Sequence, residues 1–184
     1  MKKVEHGKTF DRNAANPPAF EIFHNTVTEG YPEHWHTAIE IIMPTRGEYE
    51  VVVGKDSYNL KEGDIIMINS GVVHGMRFVS QGERIVMLVE PGCVENQEEM
   101  ETIFLRLPAI YFKKEDEEDP FYLFLRSQIL ELVREYDNEG AVMTHRICTG
   151  LKELFSEFGR KGFSDANAQN TFGAMKQQEY IEAV

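Results

Sequence analysis

Four side chains able to bind a metal are spaced through one stretch of the chain. His34 and His36 are separated by a single residue, Glu40 follows four residues later, and His74 comes after a strand, a turn and another strand. Imidazole and carboxylate together suit a divalent transition metal such as zinc, iron, manganese or nickel. In an extended strand alternate side chains share a face, so His34, His36, Glu40, Ala38 and Ile42 point one way and Trp35 points the other. Glu40 adds its oxygen to the two imidazoles if the strand bends or bulges. His74 follows Gly71-Val72-Val73, a turn that aims it back toward the others. One inward histidine is commonly a core residue satisfied by a hydrogen bond; three histidines and a glutamate in this order make a candidate metal site. Ile42, Tyr49, Met67 and Met87 are the further candidates to line a pocket around it. Tyrosine and methionine are also ordinary core residues. Arg46, in a turn, is expected beside the pocket mouth, where it could pair with an anionic ligand or simply be solvated.

These residues need strands to hold them, and the surrounding pattern supplies them. Phe20 to His24, His34 to Met43, Glu48 to Val53, Tyr58 to Leu60, Ile65 to Ile68 and Arg84 to Val89 read as short strands. Glycine turns at Gly47, Gly54, Gly63 and Gly71 separate them. Short strands at this spacing predict a mainly β sandwich or barrel. After Gly92 the apolar period lengthens to that of a helix. Met100, Ile103, Phe104 and Leu107 mark a short helix stopped by Pro108. Asp119 and Pro120 then form a helix start, with the acid as cap and the proline in the first turn. The helix carries Phe121, Phe124, Leu125, Ile129, Leu132, Val133 and Tyr136. A second, with Ile147, Leu151, Leu154, Phe155 and Phe158, is expected to end at Gly159, and the two should pack antiparallel.

The chain divides on this reading into a polar arm (1–19), a β barrel with a short following helix (20–112), a helical pair (113–161), and a small, polar linker with the start of another helix (162–184). The 184 residues carry a net charge of −12, which argues against nucleic-acid binding by this chain itself. No apolar run is long enough for a membrane span, the start lacks a signal-peptide core, and the cytoplasm is the expected compartment. Cys93 and Cys148, without Cys-x-x-Cys spacing, read as two buried reduced thiols.

The spacing of His34, His36, Glu40 and Gly47 resembles the first cupin motif, and Gly63-Asp64, Asn69, Gly71 and His74 resemble the second. That resemblance implies a double-stranded β-helix, a jelly-roll-like barrel, holding a metal between His34, His36, Glu40 and His74. Two helices after the barrel, a polar linker and the sequence Gln177-Gln178-Glu179-Tyr180-Ile181 are similar to the front part of AraC-type transcription regulators. This second resemblance implies a domain that senses a small-molecule effector and forms a homodimer through helices 120–159. DNA would be contacted only by a region beyond Val184, of which Met175 to Val184 would be the first helix. Whether the helices pair between subunits or only cover the barrel is open at this level. The other readings are a cupin metalloenzyme, a dioxygenase or isomerase working through the three-histidine, one-glutamate centre, and a plain binding or structural cupin dimer in which the histidines are vestigial.

Overall fold

A computed structural model describes residues 19–26, 30–93, 109–114, 119–138 and 140–169. Most of the expected arm, the short helix around Met100 to Leu107 and the helix start at Met175 to Val184 lie outside the described residues. Among the described residues, nine strands form two antiparallel sheets: β1 Phe20–Asn25, β2 Tyr31–His34, β3 Ile39–Arg46, β4 Tyr49–Val53, β5 Asp56–Leu60, β6 Ile65–Ile68, β7 His74–Phe78, β8 Glu83–Val89 and β9 Ala109–Phe112. The first sheet runs β1-β8-β3-β6-β9 and the second β2-β7-β4-β5.

The expected single strand from His34 to Met43 is two strands in different sheets. The chain bends at Thr37 and Ala38, and the His36 carbonyl accepts a hydrogen bond from Gly71 N at 2.8 Å instead of joining a ladder. β2 was not anticipated because Pro32 sits inside it. It is an edge strand, where a missing N–H costs nothing, and its register against β7 shifts between Tyr31 and His34. Gly47 turns β3 into β4 with φ 79°, which a side chain rarely adopts; a Cβ there would also stand 2.8 Å from the Gln81 carbonyl oxygen.

The two faces of the first sheet do different work. On β3, Ile39, Ile41 and Met43 point outward and join Met67, Ile85, Met87 and Val89 in a large apolar core. This core is completed by two helices, α1 Pro120–Asp137 and α2 Met143–Gln169. From α1 come Tyr122, Leu125, Ile129 and Leu132, and from α2 Ile147, Leu151, Leu154 and Phe155, all buried. The spacing of three and four residues puts each set on one stripe of its helix. Asp119 caps α1 by accepting from Phe121 N at 2.9 Å, with Pro120 at the start as expected. Tyr122 Oη donates to the Gly63 carbonyl at 2.8 Å and pins α1 to the turn before β6. The neighbouring Asp64 is also structural: it accepts from Lys61 N, Lys114 N and Tyr111 Oη.

The second helix does not stop at Gly159. It continues to Gln169, so residues 162–169 are helix and not linker. A glycine inside a helix costs about 1 kcal/mol, less than the packing of a long helix can supply. Among the described residues, no helix is long and apolar enough to cross a membrane.

Candidate metal centre

The bend that splits the expected strand is what assembles the site. His34 ends β2, His36 lies in the crossing segment, Glu40 starts β3, and His74 starts β7 opposite His34. One ligand atom from each of the four lies within 4.8 Å of the others. The rings of His34 and His74 are 4.6 Å apart between centres, those of His36 and His74 5.0 Å, and those of His34 and His36 5.5 Å. Strand parity thus groups His34, His36 and Glu40, although His34 and Glu40 belong to different sheets. Trp35 is 65% exposed, turned away as expected.

Each imidazole is held by its other nitrogen. Nδ1 of His34 faces the Pro32 carbonyl oxygen at 2.9 Å, that of His36 faces Ala38 at 2.9 Å, and that of His74 faces Val72 at 2.7 Å. A ring that donates Nδ1–H to a carbonyl keeps Nε2 for a metal or a proton, which is how protein metal sites orient their histidines. Nε2 of His36 and of His74 each lies 2.9 Å from the same oxygen, Glu40 Oε2. Burial alone would raise the Glu40 pKa, but the hydrogen bonds from His36 and His74 and their charges outweigh it and hold the carboxyl down at about 2. Desolvation lowers the pKa of His34, helped by the nearby His74 and His36 and opposed by the Pro32 carbonyl and Glu40.

The donor set fits a divalent transition metal. For bonds of about 2.1 Å, ligand atoms around one ion stand roughly 3 to 4 Å apart. The four here need only sub-ångström adjustments to meet that spacing. His36, Glu40 and His74 are buried and His34 is exposed, so the cluster opens to solvent on the His34 side.

Residues 25–90 match the family model described as a cupin domain. The chain carries a cupin domain. No curated protein sequence matches the chain. Among solved structures, the apo form of a ToxT variant from Vibrio cholerae superposes with a TM-score of 0.53 at 11% identity, over 80% of this chain and 58% of that one. That overlap exceeds the cupin segment and takes in helices as well as strands, while this chain spans little more than half the length of the ToxT chain. A Bacillus subtilis oxalate decarboxylase with Mn(II) centres gives a TM-score of 0.34 at 19% identity, over 38% of this chain and 20% of that one. A cupin-2 domain protein from Shewanella frigidimarina gives 0.37 at 16% identity, over 41% and 76%.

The expected pocket residues divide by face. Ile42 and Tyr49 point into the cupin interior, where they pack with Val51, Val53, Leu60, Ile66, Ile68 and Met76. Met67 and Met87 do not line it. Both pair with Ile41, one residue from Glu40 and on the opposite face, and both are buried under the helices. Arg46 is also misplaced by the sequence reading. It ends β3, six residues from Glu40 and so about 20 Å along the strand, and it is exposed and paired with Glu83 at 3.2 Å. Sequence reasoning missed Arg84, which shares the inner face of β8 with Val86 and Leu88. The signal was present: an arginine two residues before an apolar inward position has the same parity.

Cys93 and Cys148, read as isolated thiols, are neighbours across the fold with sulfurs 3.3 Å apart. Both are half-buried and reduced.

Proposed function

We propose that this chain is the effector-sensing and dimerisation part of an AraC-type transcription regulator. A small molecule binds in the cupin interior, and a divalent metal held by His34, His36, Glu40 and His74 forms part of its site. A metal there supplies a Lewis-acidic contact for an electron-rich ligand group. The observation that carries the reading is the division of labour on β3 and β8. Their inner faces carry Glu40, Ile42, Val86 and Leu88, and their outer faces form one core with the helices. A ligand on the inner face therefore presses on strands whose other face seats α1 and α2. Superposition with ToxT over strands and helices together supports an arrangement in which barrel and helices form one unit.

Homodimerisation through 120–159 is part of the same proposal. Leu123 on α1 is exposed although it sits beside half-buried Phe121 and Phe124. Because Leu123 faces solvent, Leu123→Glu leaves the fold intact and should convert a sedimenting dimer to a monomer. A wild-type chain that sediments as a monomer overturns the dimer.

The metalloenzyme reading draws on the same four ligands. A thermal-shift screen of small molecules on the whole chain, followed by NMR of each hit, separates the two. The sensor reading expects compounds that stabilise the protein and remain unchanged; steady conversion of a bound compound moves the enzyme ahead.

A further inference from the structure

The 184 residues contain two cysteines, and the fold brings them together. Cys93 ends a single 3-10 turn, Pro91–Cys93, that follows β8, and Cys148 lies on α2, 55 positions further along the chain. Their sulfurs are 3.3 Å apart, in thiol–thiol hydrogen-bonding contact, and both are reduced. A disulfide bond is about 2.05 Å long, so joining the sulfurs asks for an approach of little more than about 1 Å. A cysteine packed in a core commonly serves as a small apolar side chain, and both of these do pack against the core shared by the helices and the first sheet. That role does not require the two sulfurs to touch. Both side chains are half-buried, and Gly92 and Thr149 beside them are exposed, so a small reagent reaches the pair.

The pair bridges two elements that are held in different ways. Cys93 N donates to the Glu90 carbonyl at 2.9 Å and closes its turn. The Glu90 carboxylate in turn accepts from the Thr37 hydroxyl at 3.0 Å, in the bend that assembles the metal centre. Cys148 stands next to Ile147, on the helix whose stripe of Ile147, Leu151, Leu154 and Phe155 is buried in the shared core. A bond between the sulfurs therefore ties α2 to a turn braced against that bend. The two thiols are not equivalent. Burial first, then the hydrogen bond and charge of Cys148, push the Cys93 thiol up to about 12, so Cys93 keeps its proton. The Lys152 ammonium opposes this shift and places positive charge beside the pair, one helical turn beyond Cys148. A nearby cation favours a thiolate.

We propose that Cys93 and Cys148 form a dithiol site oxidised by hydroperoxides, closing to a disulfide that staples α2 to the turn after β8. The Cys148 thiolate attacks one oxygen of hydrogen peroxide and the O–O bond breaks. The other oxygen leaves as hydroxide and takes up the proton Cys148 released, giving water and a sulfenic acid at Cys148. The Cys93 sulfur then attacks the Cys148 sulfur, the S–O bond breaks, and the departing hydroxide leaves with the Cys93 proton as a second water. The two thiols lose two electrons and two protons, and one peroxide is reduced to two waters. This chemistry is independent of the sensing role proposed above; within that role, the staple holds α2 in one arrangement on the sheet.

Hydrogen peroxide in small molar excess, added to the whole chain after reduction with dithiothreitol and desalting, tests it. Peptide mass spectrometry without reductant should recover the Cys93 and Cys148 peptides joined, while the chain still migrates as a single polypeptide on a non-reducing gel. Because the bond closes a loop of 55 residues, the oxidised sample should melt about 5 °C or more above the same sample after dithiothreitol. Cys93→Ser removes the second step, and dimedone should then trap sulfenic acid at Cys148 in at least roughly tenfold higher yield than in wild type; in Cys148→Ser, Cys93 should stay a thiol. The wild-type cross-link and its melting carry the test if either serine variant does not fold. Native thiols that survive peroxide, when the same dose oxidises them in urea, overturn the site. A cross-link found only between chains overturns it too, as does an oxidised chain that melts no higher than the reduced one. Sulfenic acid trapped at Cys93 in Cys148→Ser, with none at Cys148 in Cys93→Ser, overturns the order of attack and the proposal with it.

Discussion

Glu40→Gln gives the most direct measure of what the buried cluster contributes to the fold. The carboxyl sits at about 2 in the folded chain against an ordinary value of 4.5, a difference of about 2.5 units, and at 1.36 kcal/mol per unit it is linked to about 3 kcal/mol of stability. The folded pKa lies below the unfolded one. As the pH falls, the unfolded chain takes up the proton first and is favoured by it. The stabilisation is therefore complete above about pH 4.5 and drains away as the pH drops toward 2, with about 2 kcal/mol of it gone by about pH 3. Glutamine at position 40 keeps the shape and a hydrogen-bond acceptor but has no proton to exchange. The assay is urea denaturation of chelator-treated wild type and Glu40→Gln at several values from about pH 6 to about pH 3. Other carboxylates titrate in both proteins and cancel in the difference. The expected result is a stability gap that narrows by about 2 kcal/mol across that range. A gap that stays constant, or widens as the solution is acidified, refutes the idea that His36 and His74 hold Glu40 ionised.

Three further outcomes follow from the same geometry. His74→Ala removes a ligand that comes from the opposite sheet, and zinc affinity measured by competition with a chelating dye should fall at least about 100-fold, the upper range for losing mere supporting contacts; unchanged zinc content removes His74 from the site. Leu151→Ala empties a fully buried position in the core that the helices share with the first sheet and should cost about 3 kcal/mol in chemical denaturation. Because that core is shared, helical circular dichroism and Trp35 fluorescence should report one transition; two separated transitions refute the shared core. Burial, followed by the contact with Cys148, pushes the Cys93 thiol up to about 12, so at neutral pH it holds little thiolate. Its alkylation by iodoacetamide in the native chain should run at least roughly tenfold slower than in urea, read by peptide mass spectrometry; equal rates contradict the burial.

The four clustered residues were legible because their chemistry is rare at that spacing, and period-two parity placed His34, His36 and Glu40 together even though the strand it assumed does not exist. Parity works for residues that stay in step with the sheet or leave it together, and the bend at Thr37 and Ala38 advances the chain without turning Glu40 away. The helices were legible down to the Asp119 cap, because a cap, a proline and an apolar stripe are all local signals. Strands buried on both faces were not. Ile65 to Ile68 carries no polar residue to say which side is which, so Met67 was assigned to the interior when it belongs under the helices; Met87, between Val86 and Leu88, failed for the same reason. A turn arginine looks available and a strand arginine looks exposed, and only the pairing of Arg84 with Asn25 and Pro44 reveals that it points inward.

In the sensing role proposed above, a signal has to cross a single sheet. Glu40 lies between Ile39 and Ile41, and Met87 lies between Val86 and Leu88, so the interior and the helix-bearing core are separated by the thickness of one backbone. A shift in β3 or β8 that suits a guest on one side alters the seat of Leu125, Ile129, Leu151 or Phe155 on the other, because close-packed side chains do not absorb displacement gradually. Proximity alone does not make this a switch. The guest must bind one arrangement of the strands more tightly than another, and each factor of ten in that preference moves the balance between helix arrangements by about 1.4 kcal/mol.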